Sequence, residues 1–119
     1  AGLPMPIVST DLHSASMHGP AFDACTVASK MLVAGFSLGD VLRGLTILPG
    51  RWLGRATRIE VGAPADVAVL AIDEGTWRYW DSRDEERIGS SRIRARMTLV
   101  AGRPAHVAPD LQLRRLPRR

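Results

Sequence analysis

Hydrophobic and polar positions divide the chain into a helical half and a strand half. Residues 4–10, Pro-Met-Pro-Ile-Val-Ser-Thr, make an apolar, β-branched run that ends in polar turn formers, which predicts one short buried strand. Residues 11–20 hold two histidines, two serines and Gly19-Pro20 with neither a helical nor a strand period, and predict a loop. From Asp23 the apolar residues Val27, Met31 and Leu32 recur at helical spacing, with Asp23 placed to cap the start and Gly35 to close the end. Ser37 is placed to cap a second helix whose apolar stripe is Leu38, Val41, Leu42, Leu45 and Leu48. Pro49 interrupts that stripe and opens a short turn ending near Gly54.

Beyond Gly54 strands replace helices. The turn Gly62-Ala63-Pro64 leads into the continuous apolar run 67–72, closed by Asp73-Glu74-Gly75. Residues 76–80 alternate large and charged side chains, and 97–100 precede a Gly102-Arg103-Pro104 turn, so both predict strands. The charged stretch 82–91 between them predicts an exposed loop or irregular edge. A lone strand followed by helices has nothing to pair with, and buried unpaired backbone is costly. Residues 1–53 therefore look like the end of a larger body.

With 119 residues and 45% apolar content the chain is long enough for one domain with a core. Gly, Pro or a charge interrupts every apolar run before the roughly 18 residues a spanning helix needs, so neither a membrane partner nor a secretion signal is expected and the cytoplasm is the default location. Cys25 stands alone, which excludes an internal disulfide and suggests a buried, inert thiol. The net charge of +4 comes from Arg114, Arg115, Arg118 and Arg119, without which the 12 remaining cations balance 12 acids. A basic tail of this kind, residues 108–119, reads as a solvated, disordered end and not as a nucleic-acid interface.

Candidate chemistry centres on Asp11, where the first strand runs out into a loop with His13 and His18 close behind. A carboxylate at such a strand end can bind a divalent metal and take a proton from its water, although an Asx turn would use the same residue type. The five-residue spacing of His13 and His18 does not force both onto one metal, so these are candidate substrate contacts. His106, near the end of the strand region, reads as structural.

Four segments in one order resemble the amidohydrolase superfamily: Ile7-Val8-Ser9-Thr10-Asp11; the paired helices ending Leu45-Thr46-Ile47-Leu48-Pro49; Val61-Gly62-Ala63-Pro64-Ala65-Asp66-Val67-Ala68-Val69; and Leu99-Val100-Ala101-Gly102-Arg103. Gly-Ala-Pro-Ala-Asp is the most specific of them. Ser-Thr-Asp-Leu-His followed by Gly19-Pro20 looks most like the deacetylase-like members, relatives of dihydroorotase. The resemblance implies a C-terminal fragment of an α/β enzyme: residues 1–53 as the last strand and closing helices of a (β/α)8 TIM barrel, and 54–107 as the C-terminal part of a small composite β-sandwich. It further implies a metal-dependent hydrolase of non-peptide carbon–nitrogen bonds, with zinc, one or two ions, as cofactor. Asp11 would be both metal ligand and catalytic proton carrier, acting on a small-molecule amide. Asp66 would be structural.

Two departures qualify this. The loop after Asp11 lacks the Ala-Pro-His of dihydroorotases, which disfavours that substrate. The family's His-x-His, its bridging lysine or acid and its later single histidines have no counterpart in the chain, so the implied partner is the missing N-terminal barrel portion, with a homo-oligomer left open. The isolated polypeptide is expected to be inactive and, with open sheet edges, prone to aggregation.

Other readings are a non-catalytic remnant or complementing subunit, and a helix-turn-helix DNA reader built on residues 28–45. The second helix argues against the DNA reader, because only Arg43 and Thr46 suit base edges.

Overall fold

The structure, a computed structural model, describes residues 4–55 and 57–111. Three helices, α1 (Ala24–Val33), α2 (Leu38–Leu45) and α3 (Ile47–Leu53), precede three strands, β1 (Val67–Trp80), β2 (Glu86–Val100) and β3 (Arg103–Val107). Among the described residues no helix is long and apolar enough to cross a membrane. Most of the predicted basic tail, residues 112–119, lies outside the described residues.

Helix boundaries follow the local signals. The Asp23 carboxylate accepts the Thr26 amide at 2.7 Å, and Ser37 Oγ accepts the Asp40 amide at 3.1 Å, so each satisfies a donor the first turn leaves unpaired. Pro49 falls in the first turn of α3, where its missing N–H costs no helical bond. Gly54, at φ 64°, closes that helix in the left-handed region a glycine enters freely.

Residues 4–10 form no strand, contrary to the sequence expectation. Their one hydrogen bond to α2 among the described residues is from the Val8 amide to the Gly44 carbonyl at 3.0 Å. A strand exists only with a neighbour to complete its ladder, and none stands beside this segment among the described residues. The segment nonetheless lies tight on α2: a Cβ at Gly44 would come within 2.9 Å of the Pro6 carbonyl oxygen.

The sheet is antiparallel in the order β1-β2-β3. β1 and β2 pair from Val67 with Leu99 to Trp80 with Glu86, with irregularities between Val69 and Leu70 and between Glu74 and Trp77. The two strands expected at 67–72 and 76–80 are thus one, carried through Gly75 at a bulge, and 86–91 belong to β2 instead of a loop. Their charges are compatible with a strand because the distal ribbon is largely solvent-exposed.

Asp66 plays the structural part expected of it. Its carboxylate accepts the Ala101 amide at 2.8 Å while the Gly102 amide donates to the Ala65 carbonyl at 2.9 Å, so the segment entering β1 latches the turn between β2 and β3.

Helix α1 runs along β2. The core joins the halves: Ala28, Val41 and Ile93 are buried, with Met31, Leu32, Leu45 and Leu70 packed around them. Where α1 meets the ribbon the approach is close, since a Cβ at Gly89 would lie 2.6 Å from Val33 Cγ2. Elsewhere some apolar side chains are uncovered among the described residues: Trp52 is 80% exposed, Ile59 88% and Val61 fully.

Candidate functional site

The geometry around Asp11 is organised by Ser16. Asp11 takes φ 46°, a left-handed conformation that aspartate tolerates better than most residues. Its amide donates to Ser9 Oγ at 3.4 Å, and its carbonyl accepts from Ser16 Oγ at 3.1 Å. The same Ser16 hydroxyl accepts the His13 amide at 3.1 Å, and the Ser16 carbonyl accepts the amides of Gly19 at 3.1 Å and Phe22 at 3.3 Å. One serine thus ties both ends of the loop to its start. The Asp11 carboxylate, in an exposed residue, has no hydrogen-bond partner among the described residues.

His13 is committed on one side: its Nδ1 accepts the Ala15 amide at 3.2 Å. In the neutral ring this leaves the proton on Nε2, which makes a donor suited to a ligand's acceptor oxygen and not a second lone pair for a metal. His18 is exposed, and among the described residues no hydrogen bond joins it to Asp11 or His13. The loop brings Asp11 and His13 together through Ser16 and leaves His18 apart. Among the described residues no group of three or more His, Cys, Asp and Glu is arranged to hold a metal. His106 pairs with Thr98 in the sheet, and Cys25 is half-buried with its thiol pushed up by burial and by the charge of Asp23.

Two features gave no sequence signal because their partners are far apart along the chain. The Lys30 ammonium, on α1, donates to the main-chain carbonyls of Pro20 and Trp80. Burial lowers its pKa, and the nearby Asp81 charge partly offsets that. On the sheet, Asp73 accepts two hydrogen bonds from Arg94, at 2.9 and 3.0 Å, and one from Arg92 at 3.2 Å. Those donors hold its carboxyl at about 2. The Arg92 guanidinium also lies 3.8 Å from the centroid of Trp77. Cavities of about 440 and 550 Å³ flank α1, the first lined by Lys30, Tyr79, Trp80 and Arg87, the second by Cys25, Arg92, Arg94 and His106. Neither includes Asp11, His13 or His18.

No protein-family model matches the sequence. A deacetylase from Enterococcus faecalis is 25% identical over 104 residues, covering 85% of this chain and 28% of that protein. A deacetylase from Agrobacterium fabrum is 31% identical over 80 residues, covering 66% of this chain and 20% of its own length. Among solved structures, a dihydroorotase superposes with a TM-score of 0.78 at 26% identity, over 86% of this chain and 28% of that one. These relatives are amidohydrolase-superfamily proteins, and the chain is similar to them over most of its length. An adenine deaminase shares the fold, with a TM-score of 0.71 at 24% identity over 76% of this chain and 25% of its own. The chain is a small α/β piece with a three-stranded antiparallel sheet that matches part of these barrel enzymes, and it spans between 20% and 28% of the length of the relatives named here.

Proposed function

We propose that this chain supplies the last barrel strand and closing helices (residues 1–53) and part of the composite β-sandwich (54–107) of an enzyme that hydrolyses non-peptide carbon–nitrogen bonds with a divalent metal. The observation that carries the reading is the placement of Asp11. It lies at the end of the apolar segment seated on α2, is held by Ser16 in a left-handed turn, and has no carboxylate hydrogen-bond partner among the described residues. A carboxylate so presented fits one oxygen ligand of a set that the rest of a barrel completes.

Asp11 would hold a divalent ion, zinc in this reading, one or two per site, and the ion would supply water acidic enough to attack near neutral pH. Asp11 accepts the proton released in that attack and delivers it to the leaving nitrogen, the task for which an unencumbered carboxylate suits. His13 presents Nε2–H toward a substrate oxygen, and His18, exposed on the same loop, is a second candidate substrate contact. The substrate class is a small-molecule amide of the deacetylase kind, and the partner is the remaining barrel portion. The uncovered Trp52, Ile59 and Val61 support the need for that partner.

The test is co-expression of this chain with the barrel portion, or its assay within the full polypeptide, with Asp11→Asn as the variant. Turnover should fall by at least about a hundredfold, and retained turnover would overturn the role given to Asp11.

A further inference from the structure

The loop that carries Asp11 has no strand or helix of its own, yet one half-buried cation ties its far end to the sheet. Lys30 Nζ donates to the Pro20 carbonyl, where the loop closes, and to the Trp80 carbonyl, where β1 ends. From Pro20 the tie continues through short steps. Phe22, two residues on, donates its amide to the Ser16 carbonyl at 3.3 Å, and Ser16 Oγ donates to the Asp11 carbonyl at 3.1 Å. Asp11 sits at φ 46°, a conformation that persists when its surroundings hold it. The cation lies against neutral main-chain oxygens, with Asp81 near it, and its stem is half-buried between α1 and the ribbon. Lys30 is also the chain's one lysine.

We propose that Lys30 is a positioning residue for Asp11, bracing the 11–22 loop against the end of β1 so that the aspartate's carboxylate is presented in one orientation. This rests on the reading of Asp11 given above. Charged hydrogen bonds to carbonyls are stronger than neutral ones, and no other side chain links this loop to the sheet by a hydrogen bond among the described residues. Removing the cation leaves the fold's shared core of Ala28, Val41 and Ile93 in place and frees only the loop. A small displacement of a catalytic group is enough to cost large factors in rate.

The experiment uses the enzyme assembled with its barrel portion and two variants, Lys30→Met, which keeps the apolar stem, and Lys30→Arg, which keeps the charge. Amide hydrogen exchange in residues 12–22 should quicken about tenfold in Lys30→Met with β1 and β2 unchanged. In the same variant kcat should fall between about tenfold and a hundredfold with KM little altered, and Lys30→Arg should restore both measurements toward the parent. Unchanged exchange in 12–22 overturns the brace. A loosened loop with unchanged kcat overturns positioning. If Lys30→Met does not fold, exchange and kcat in Lys30→Arg decide, since an intact brace predicts values near the parent and any other result refutes it. Turnover retained by Asp11→Asn in the parent background would refute the reading of Asp11 separately, while the exchange result would stand.

Discussion

Ser29 of α1 caps the edge of β2 at Ile93: its hydroxyl accepts the Ile93 amide at 2.9 Å and donates to the Cys25 carbonyl at 2.7 Å, fully buried. A helical side chain thus takes the place a neighbouring strand would occupy, and an otherwise unpaired donor of the ladder is satisfied 64 residues away in sequence. Ser29→Ala leaves the Ile93 amide buried without an acceptor. Chemical denaturation should show a loss of about 1 to 3 kcal/mol, and a loss near zero would mean that water replaces the hydroxyl.

Gly44 sets how closely residues 4–8 approach α2. A Cβ there meets the Met5 methyl and the Pro6 carbonyl oxygen, both at 2.9 Å, and the second is main chain that cannot turn aside. Gly44→Ala should therefore cost about 1 to 3 kcal/mol by overpacking, although alanine is the better helix former. A stabilised variant would show that the segment is free to move.

Asp66 and Asp11 should separate cleanly under mutation. Asp66→Ala removes the acceptor for the Ala101 amide in a solvent-exposed turn and should lower stability by about 1 kcal/mol without altering kcat in the assembled enzyme. A fall in kcat at unchanged stability would overturn the structural reading of Asp66.

The Asp73 carboxyl, held at about 2 by Arg94 and Arg92, carries a definite pH dependence. Its folded value lies below the ordinary 3.8, so the unfolded chain takes up this proton first as the solution is acidified. The stability Asp73 contributes is complete above about pH 5 and is lost as the pH falls toward 2. Unfolding midpoints of the parent and Asp73→Asn should differ at neutral pH and converge on acidification. A gap that widens toward low pH would contradict the assignment.

Local signals made the helices legible and left the long-range structure hidden. Asp23, Ser37 and Gly54 cap or close elements through bonds within five residues, so the sequence alone located them. Strand extent depends on cross-strand partners, and nothing local reveals that Trp80 pairs with Glu86 or that Gly75 carries β1 through a bulge. The segment 4–10 has the composition of a strand but no ladder to join among the described residues. At the site, Asp11, His13 and His18 stood out by residue type. Ser16 passed as an ordinary loop serine, and Lys30 stayed hidden because its acceptors lie 10 and 50 positions away and carry no side-chain signature.

Both acceptors of Lys30 are peptide oxygens, which every amino acid supplies, so the side chains at positions 20 and 80 are not tied to it by charge. Selection acting on the brace would fix the lysine while leaving its contacts free to drift. In divergent members such a residue would show as a solitary invariant cation with no covarying acid.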